Sequence, residues 1–598
     1  MTRPKRAVVL HVLAHEIVGF DTEYDSRTGA LLSWQLDGAQ GQAFNRADRI
    51  PITPETLSSE ARRVSGAALG RKVVLVSFFS LAELQFLPTF DEAVDFFVGP
   101  RGSLDAAFDT ESGRIEVVDV ARWFDGKGLA EAAEAFGLKK LEWHRSRVSA
   151  ADLECAPFRE YALNDATLAR AITLRLRQEF AAEGADTLQS KTPAGVSSRV
   201  YRVNYLERDL APPPRAVRRL GLACAWGGRA EVFARGKFAH VTEFDLSSAY
   251  PEAVKSFEQF PEPSSWEPLT SLRDLDRWRG GIARVGFQFP PTCAFPCLPV
   301  FERGLLLFML SGISAATLDE LRLAKRLGAR LDLIDGFAYR DGLRSAARYH
   351  ADLVTRRATA KGARKVALKL LANSWTGKLN QQTRKVDLRR MRRVAEKYAV
   401  SLRDLAAMTE NERHAFLLLR DAPPEDWKAL APQVEVGSLY VPEWYALITG
   451  RVRAQLGAML VTTAPVYCAT DAFWTPKTMA APAGCTKKRA GPATTVRSKL
   501  AAIWSRPTHL AMHGIAQKKA ATKLLRRFDG DGEQSVHYVI RRPVKVFESL
   551  KTGRGLGTWL RQPRDARTFW DDKRKLLADG RSTRPWNDVA EFRREDAP

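Results

Sequence analysis

Two short apolar runs, each tipped by an aspartate, bracket a long basic segment, and no other feature constrains the fold as much. The first is Glu243-Phe244-Asp245-Leu246-Ser247-Ser248-Ala249-Tyr250-Pro251. A strand signal ends in Asp245; small residues, an aromatic ring and a proline follow. Amides in a tight small-residue turn bind anions, and a hard divalent cation takes carboxylate together with phosphate oxygen. The segment therefore suits a Mg²⁺-bound nucleoside triphosphate. The second run is Val466-Tyr467-Cys468-Ala469-Thr470-Asp471, followed by Ala472-Phe473-Trp474. If the two strands pair in one sheet, their carboxylates can hold two Mg²⁺ ions, one activating an attacking hydroxyl and one stabilising a leaving pyrophosphate.

Between the runs, Arg357, Lys361, Lys365, Lys369 and Asn373 recur every four residues and line one stripe of a predicted helix. Val366, Ala367, Leu370 and Leu371 fall on its other face, so the helix docks by one side and shows cations on the other. Solvated faces normally mix signs, yet no acid lies between Arg356 and Val386, which favours phosphate binding. The whole chain carries 92 Lys+Arg against 69 Asp+Glu, a net charge of +23, and the bases are spread along it. That balance points to a polyphosphate or nucleic-acid partner.

The 598 residues exceed one core and suggest three or more domains. Residues 1–190 read as alternating strands and helices, with strands at Ile17–Phe20 and Val73–Val76 and helices at Ala130–Phe136 and Tyr161–Phe180. Ala211–Arg215 reads as a linker. Residues 215–345 are strand-rich, 345–377 helical and basic, and 381–435 charged and helical; the last hundred are basic and mixed. Cys293 and Cys297 lack a second Cys/His pair at zinc spacing and read as packing residues. The six cysteines imply no disulfide framework, so a reducing cytoplasm is expected. His15 and Glu16 interrupt any signal-peptide core, and no apolar run is long enough to span a membrane.

A second set of acids lies near the N-terminus. Phe20-Asp21-Thr22-Glu23 ends a strand with two carboxylates on one side. Phe79-Ser80-Leu81-Ala82-Glu83 adds a third acid. Tyr161-Ala162-Leu163-Asn164-Asp165 adds a fourth, with Tyr161 one helical turn away. Four acids and a tyrosine suit a two-metal 3′–5′ exonuclease, the acids fixing metals and the tyrosine orienting a water.

The order Asp-x-x-Ser-x-Tyr-Pro, then Lys369-x-x-x-Asn373-Ser374-x-x-Gly377, then Tyr467-x-x-Thr470-Asp471 resembles the polymerase motifs of family B DNA polymerases. It is most similar to the phage and plasmid branch that includes protein-primed enzymes, and the resemblance covers most of the chain. It implies an α/β and α+β multidomain chain, an RNase H-like exonuclease domain followed by a right-hand palm, fingers and thumb. The expected divisions are 1–190 exonuclease, 191–340 first part of the palm, 341–435 fingers with a possible insertion, 436–500 second part of the palm, and 501–598 thumb. The implied activity is DNA-templated addition of deoxynucleotides to a 3′-hydroxyl with 3′–5′ proofreading, in the cytoplasm of a bacterial or phage-infected cell. Primer-template DNA and deoxynucleoside triphosphates are the implied partners, a terminal protein or other replication proteins are further candidates, and no membrane is involved. Mg²⁺ is the implied cofactor, with Mn²⁺ able to substitute.

The resemblance makes Asp245 and Asp471 the metal-binding acids, with Leu246 in the metal set. The backbone of Leu246 to Ala249, Ser247 and Ser248 included, would cradle the triphosphate. Tyr250 would lie under the sugar as a steric gate. Lys369 with Lys365 would bind phosphates, Asn373 would sit at the nascent base pair, and Lys361 would contact DNA. Ala225-Trp226-Gly227-Gly228 stands where the branch has Tyr-x-Gly-Gly, so Trp226, Gly227 and Gly228 are assigned to DNA, although Trp226 also suits a core. In the exonuclease, Asp21, Glu23 and Asp165 match metal ligands, with Glu83 and Tyr161 completing the catalytic set; either Lys139 or Lys140 matches the accompanying lysine.

Four departures stand out. Ala469 replaces an aspartate and Ala472 a serine, Thr376 replaces a tyrosine, and, in the exonuclease set, Phe79 an asparagine. Ala469, Ala472 and Thr376 motivate an alternative, a weakened polymerase-like nucleic-acid binding protein; a nuclease only is a further one. Residues 381–435 lie where the protein-primed branch carries an insertion linked to strand displacement, and equally suit an extension of the fingers. Priming by protein, by nucleic acid or by neither stays open.

Overall fold

The computed structural model describes residues 16–595 except 26, 88–94, 99–102, 125, 145–147, 386–387, 402–403, 406–407, 409, 431–432, 499, 507–508, 514–517, 529–533 and 544–558. The signal-peptide reading of residues 1–15 lies outside the described residues.

The first domain runs through β1 (Glu16–Tyr24), β2 (Leu31–Asp37), β3 (Gln42–Arg46), α1 (Pro54–Ser65), β4 (Val73–Ser77), α2 (Leu81–Leu84), β5 (Asp95–Val98), β6 (Leu104–Thr110), β7 (Gly113–Asp119), α3 (Leu129–Ala135) and α4 (Ala156–Ala181). Its sheet has the order β3-β2-β1-β4-β7-β6-β5. β1, β4 and β7 are parallel and the other pairs antiparallel. Every residue of β4 is buried, as a strand covered on both faces requires. Leu57, Ala61 and Val64 of α1 share an apolar cluster with Phe20 and Leu75, while Leu168 and Ile172 of α4 join Ile17, Val74 and Val76 on the other face. Alternate side chains of one strand thus serve two helices.

The next stretch holds α5 (Pro193–Asn204), α6 (Arg215–Cys224), β8 (Arg229–Val232), β9 (Gly236–Leu246) and α7 (Ala249–Phe257). A smaller antiparallel sheet follows from β10 (Glu267–Pro268), β11 (Gly280–Gln288), β14 (Ser311–Thr317) and β15 (Arg330–Tyr339), in the order β10-β15-β11-β14. It is accompanied by the hairpin β12 (Pro299–Glu302) and β13 (Leu305–Phe308) and by α8 (Leu318–Arg326). The chain then forms α9 (Ser345–Thr359) and α10 (Gly362–Lys378). The expected continuous basic helix is in fact broken: Lys361 is an extended N-cap and Gly362 takes φ +51°, a left-handed value that glycine supplies without strain. Arg357 therefore belongs to α9, and the stripe proper starts at Lys361.

The ribbon of β16 (Gln382–Lys385) and β17 (Gln433–Val436) closes off α11 (Leu388–Lys397), α12 (Glu410–Leu418) and α13 (Pro424–Leu430). Met391, Val394, Leu405, Phe416 and Leu430 of this subdomain share an apolar cluster with Leu81, Leu84 and Leu87 of the first domain.

After α14 (Pro442–Thr463) come β18 (Tyr467–Thr470), β19 (Ala472–Thr475), β20 (Cys485–Arg497), β21 (Leu500–Arg506) and β22 (His509–His513). They build an antiparallel sheet in the order β22-β21-β20-β9-β19-β18-β8. The strands of Asp245 and Asp471 thus lie in one sheet, with everything between them looped out. This sheet runs across the expected division at 500/501, because β20 pairs with β21.

The C-terminal region has α15 (Lys518–Arg527), β23 (Ser535–Pro543), β24 (Trp559–Arg567) and α16 (Val589–Glu595). Its last part leaves the expected thumb: Trp586 and Phe592 join the cluster of Trp278, Phe287 and Leu321, and Leu310 N–H donates to Trp586 O at 2.9 Å. All six cysteines are free, and Cys297 is buried in that same cluster, as its packing role requires. Among the described residues no helix is long and apolar enough to cross a membrane.

Candidate active sites

Asp245 sits in the middle of the central sheet, opposite Ala472 on β19 and Thr486 on β20. Ala469 pairs with Ala472 across the β18–β19 hairpin, which leaves Thr470 and Asp471 as its turn. Two-residue hairpin turns favour left-handed backbone, and Thr470 takes φ +60°, a strained value for a β-branched residue. Asp471 N–H donates to Ala469 O at 2.8 Å, and Leu246 N–H donates to Asp471 O at 2.8 Å. The backbone alone therefore stitches the two aspartate-bearing segments together. Burial first, and then the neighbouring Asp245, pushes the Asp471 carboxyl up to about 6. A carboxyl held up by a neighbouring carboxylate is relieved by a cation, and the pair is a hard-oxygen donor set fit for a divalent metal ion. The Leu246 side chain is core, so only its main-chain oxygen is available as a ligand.

The expected amide cradle is narrower than the sequence implies. Leu246 N–H is spent on Asp471, and Ser247 N–H donates to Gly484 O at 2.9 Å. Ser248, at φ +50°, turns the chain into α7, so anion-binding amides are left at Ser248 and the first turn of that helix. Ser247 and Ser248 are exposed, and Tyr250 is half-buried. Burial, then the charges of Tyr445 and Asp471, pushes the Tyr250 phenol up to about 12.

Lys361, Lys365, Lys369 and Asn373 form an exposed stripe on α10, while Ala367, Leu368 and Leu371 are buried. Thr376 is also buried, and its hydroxyl has no hydrogen-bond partner. It belongs to the packed face and is no substitute for a stacking ring. Trp226 is half-buried and stacks on Phe301, with centroids 5.1 Å apart and planes at 18°. Gly227 is exposed. A Cβ on Gly228 would lie 2.8 Å from Thr470 Cα, so glycine is what lets this loop touch the Asp471 turn. Lys488 on β20, missed in the sequence, places Nζ 3.3 Å from Asp245 Oδ2. Lys488 is the unpaired residue of an irregularity between Lys487 and Arg489, which periodicity in the sequence does not signal.

The second acid cluster lies in the first domain. One oxygen each from Asp21, Glu23 and Asp165 lie within 4.8 Å of one another. Asp21 and Glu23 share a face of β1, and α4 brings Asp165 over them. This close packing depends on Gly19, where a Cβ would stand 1.9 Å from Ala166 O. Asp165 Oδ1 is buried without a hydrogen-bond partner, which fits a cation ligand. Glu83 is buried and accepts a hydrogen bond from the Thr22 hydroxyl. It adjoins the cluster, raising Asp21 by its charge, but among the described residues the ligand-spaced group is the other three.

Of Lys139 and Lys140, it is Lys140 that ion-pairs with Asp165 and lies 5.0 Å from the Tyr161 ring centre. Asn164 Oδ1 accepts from Leu141 N–H at 2.9 Å and fixes this segment. Burial, then the charges of Glu23, Asp165 and Asp21, drives the Tyr161 phenol upward. Phe79 takes φ +75°, held by its N–H donating to Asp119 Oδ1 at 3.0 Å.

Burial raises Asp21, Glu83 and Asp165, and burial followed by Asp165 lifts Glu23 to about 8. A carboxyl raised on folding binds its proton more tightly in the folded state. Its stabilisation is full below the ordinary carboxylate value and is lost as pH rises towards 8. The metal-free first domain is therefore expected to melt several degrees lower at pH 8 than at pH 5, at about 2–4 °C per kcal/mol for a domain of this size. Glu23→Gln should flatten that slope and Mg²⁺ should restore the melting temperature; calorimetry giving a flat wild-type profile contradicts the geometry.

No protein-family model matches the sequence. Phi29 DNA polymerase, solved with primer-template DNA and incoming nucleotide, superposes with TM-score 0.61 over 92% of this chain and 99% of that one, at 12% identity. The same polymerase with single-stranded DNA gives TM-score 0.59 over 89% and 98%, at 14% identity. The chain has that fold. A primer-independent DNA polymerase PolB from Escherichia coli is 26% identical over 257 residues, 35% of this chain and 29% of that protein. The chain thus matches less than a third of the length of that relative.

Proposed function

We propose that this protein is a DNA-templated DNA polymerase with a 3′–5′ exonuclease. The observation that carries the reading is the pairing of Asp245 and Asp471 through neighbouring strands of one sheet. Its fold is that of a polymerase solved on primer-template DNA.

Mg²⁺, held by Asp245 and Asp471, would supply the Lewis acidity for attack of a 3′-hydroxyl on the α-phosphate and for departure of pyrophosphate. The chain's own groups do the rest. Amides of the first turn of α7, with Lys365 and Lys369, bind the triphosphate. Tyr250 closes the space a 2′-hydroxyl would need. Asn373 faces the nascent pair, and Trp226, Gly227, Gly228 and Lys361 hold DNA. In the first domain Asp21, Glu23 and Asp165 hold the second metal site, Lys140 neutralises Asp165, and Tyr161 orients the attacking water. Glu83 and Thr22 brace β1 behind them. Two sites competing for one primer end would edit beyond what pairing supplies.

The helices α11–α13 act as a separate insertion rather than as an extension of the fingers. The support is the ribbon that closes them off and the apolar surface they share with the first domain. The reducing cytoplasm fits six free cysteines. The binding-protein alternative draws on Ala469 and on Lys488 standing at Asp245.

One assay decides among these readings. Synthesis is followed on a primed single strand, a primed strand with duplex ahead, and an unprimed strand. Extension on the first supports the polymerase, and degradation alone supports the nuclease. Replacing residues 388–430 by a short turn should stop synthesis at the duplex while leaving the first substrate extended; unchanged passage sinks the insertion reading. The unprimed arm reports whether this chain starts synthesis unaided.

A further inference from the structure

Arg453 is a buried cation with no part in the chemistry above. It stands on α14 at 2% exposure, and Glu320, at the start of α8, is fully buried. Arg453 Nε donates to Glu320 Oε1 at 2.8 Å. The other Glu320 oxygen accepts from the N–H and the hydroxyl of Thr317, each at 2.9 Å, and caps α8. Gly450, one turn before Arg453, leaves room for this: a Cβ there would lie 2.3 Å from Thr317 Oγ1.

The guanidinium then reaches the loop ahead of β8. Nη1 donates to Trp226 O at 2.7 Å and to Gly227 O at 2.9 Å. The next residue, Gly228, rests against Thr470, which precedes Asp471. Arg453 also opposes the upward push on the phenols of Tyr250 and Tyr445, so its charge reaches the gate. Its Nη2 is buried without a partner. A pair kept only for stability has no reason to carry an unmet buried donor, which is a cost to stability.

We propose that Arg453 is a positioning residue, whose fork fixes the Trp226–Gly228 loop against the Thr470–Asp471 turn and so sets Asp471 relative to Asp245 and Tyr250. The effect on synthesis rests on the polymerase reading. Lysine keeps the charge but is a point donor that cannot span a carboxylate and two carbonyls.

The test compares wild type, Arg453→Lys and Arg453→Met. Arg453→Lys is expected to lower kcat for single-nucleotide incorporation by about 10–100-fold, the range seen when groups supporting a metal site are removed. Nucleotide KM and primer degradation by the same preparation should stay at wild-type values. Amide exchange at 226–228 and 470–472 should rise, with β1 and β4 unchanged. Unaltered kcat together with unaltered exchange in Arg453→Lys overturns the proposal, and so does a parallel loss of degradation. The exchange arm needs no activity, so a wild type that incorporates nothing counts against the polymerase reading while this arm still judges Arg453. If Arg453→Met does not fold, Arg453→Lys alone carries the decision.

Discussion

Asp245→Ala is expected to lower templated nucleotide incorporation by about 10³-fold or more. Charge stabilisation by a bound divalent ion is worth several kcal/mol, and each ~1.4 kcal/mol is a decade in rate. Asp245 is the surer half of the pair, because it sits within paired strands on both sides. Asp471 hangs on a strained two-residue turn. The same variant should degrade primer at the wild-type rate, since the first domain is untouched. Rapid-quench incorporation checks it, and retained synthesis would mean that the metal is held elsewhere. Ala469→Asp probes the other half. It adds a carboxylate opposite Ala472 and Ala230, close to a carboxyl already raised by Asp245. If the missing acid was auxiliary, the rate rises or holds; a tenfold fall would show a site rebuilt around alanine.

Asp21→Ala is expected to remove primer degradation by a similar factor, about 10³-fold, on the same metal-ligand argument. Extension should survive and misincorporation should rise. Asp21 takes like charge from Glu83, Asp165 and Glu23. Its loss leaves two carboxylates that cannot fix the same ion. Glu83→Gln is the informative companion. A glutamine can still accept from Thr22, so a modest loss supports bracing, whereas a loss equal to that of Asp21→Ala would make Glu83 a ligand. Gel assays on a labelled primer without nucleotides read both.

Strand patterns and motif order were legible because they are local. The apolar run of β1, the helix bearing Tyr161 and Asp165, and the four-residue repeat from Lys361 to Asn373 need only periodicity. Contacts between distant segments were not legible. Nothing in Gly19 alone says that Ala166 lies on it, yet that contact sets Asp165 over Asp21. The amides of Leu246 and Ser247 looked free until their acceptors, Asp471 and Gly484, arrived from across the sheet. The break before Gly362 interrupted a stripe that spacing alone read as continuous. The last residues were basic like the thumb in composition, but Trp586 and Phe592 carry them back to the smaller sheet. Nothing in the sequence marks Arg453 among the many bases, and its burial against Glu320 is what sets it apart.

The proposed role of Asp245 and Asp471 in templated synthesis is put to the test by offering the wild-type protein and Mg²⁺ a primer with each of the four template bases next in line, and each deoxynucleotide in turn. The expected result is addition of the complementary nucleotide in every case, abolished by Asp245→Ala. No addition with Mg²⁺ or Mn²⁺ on any primer, or addition indifferent to the template base, would contradict it.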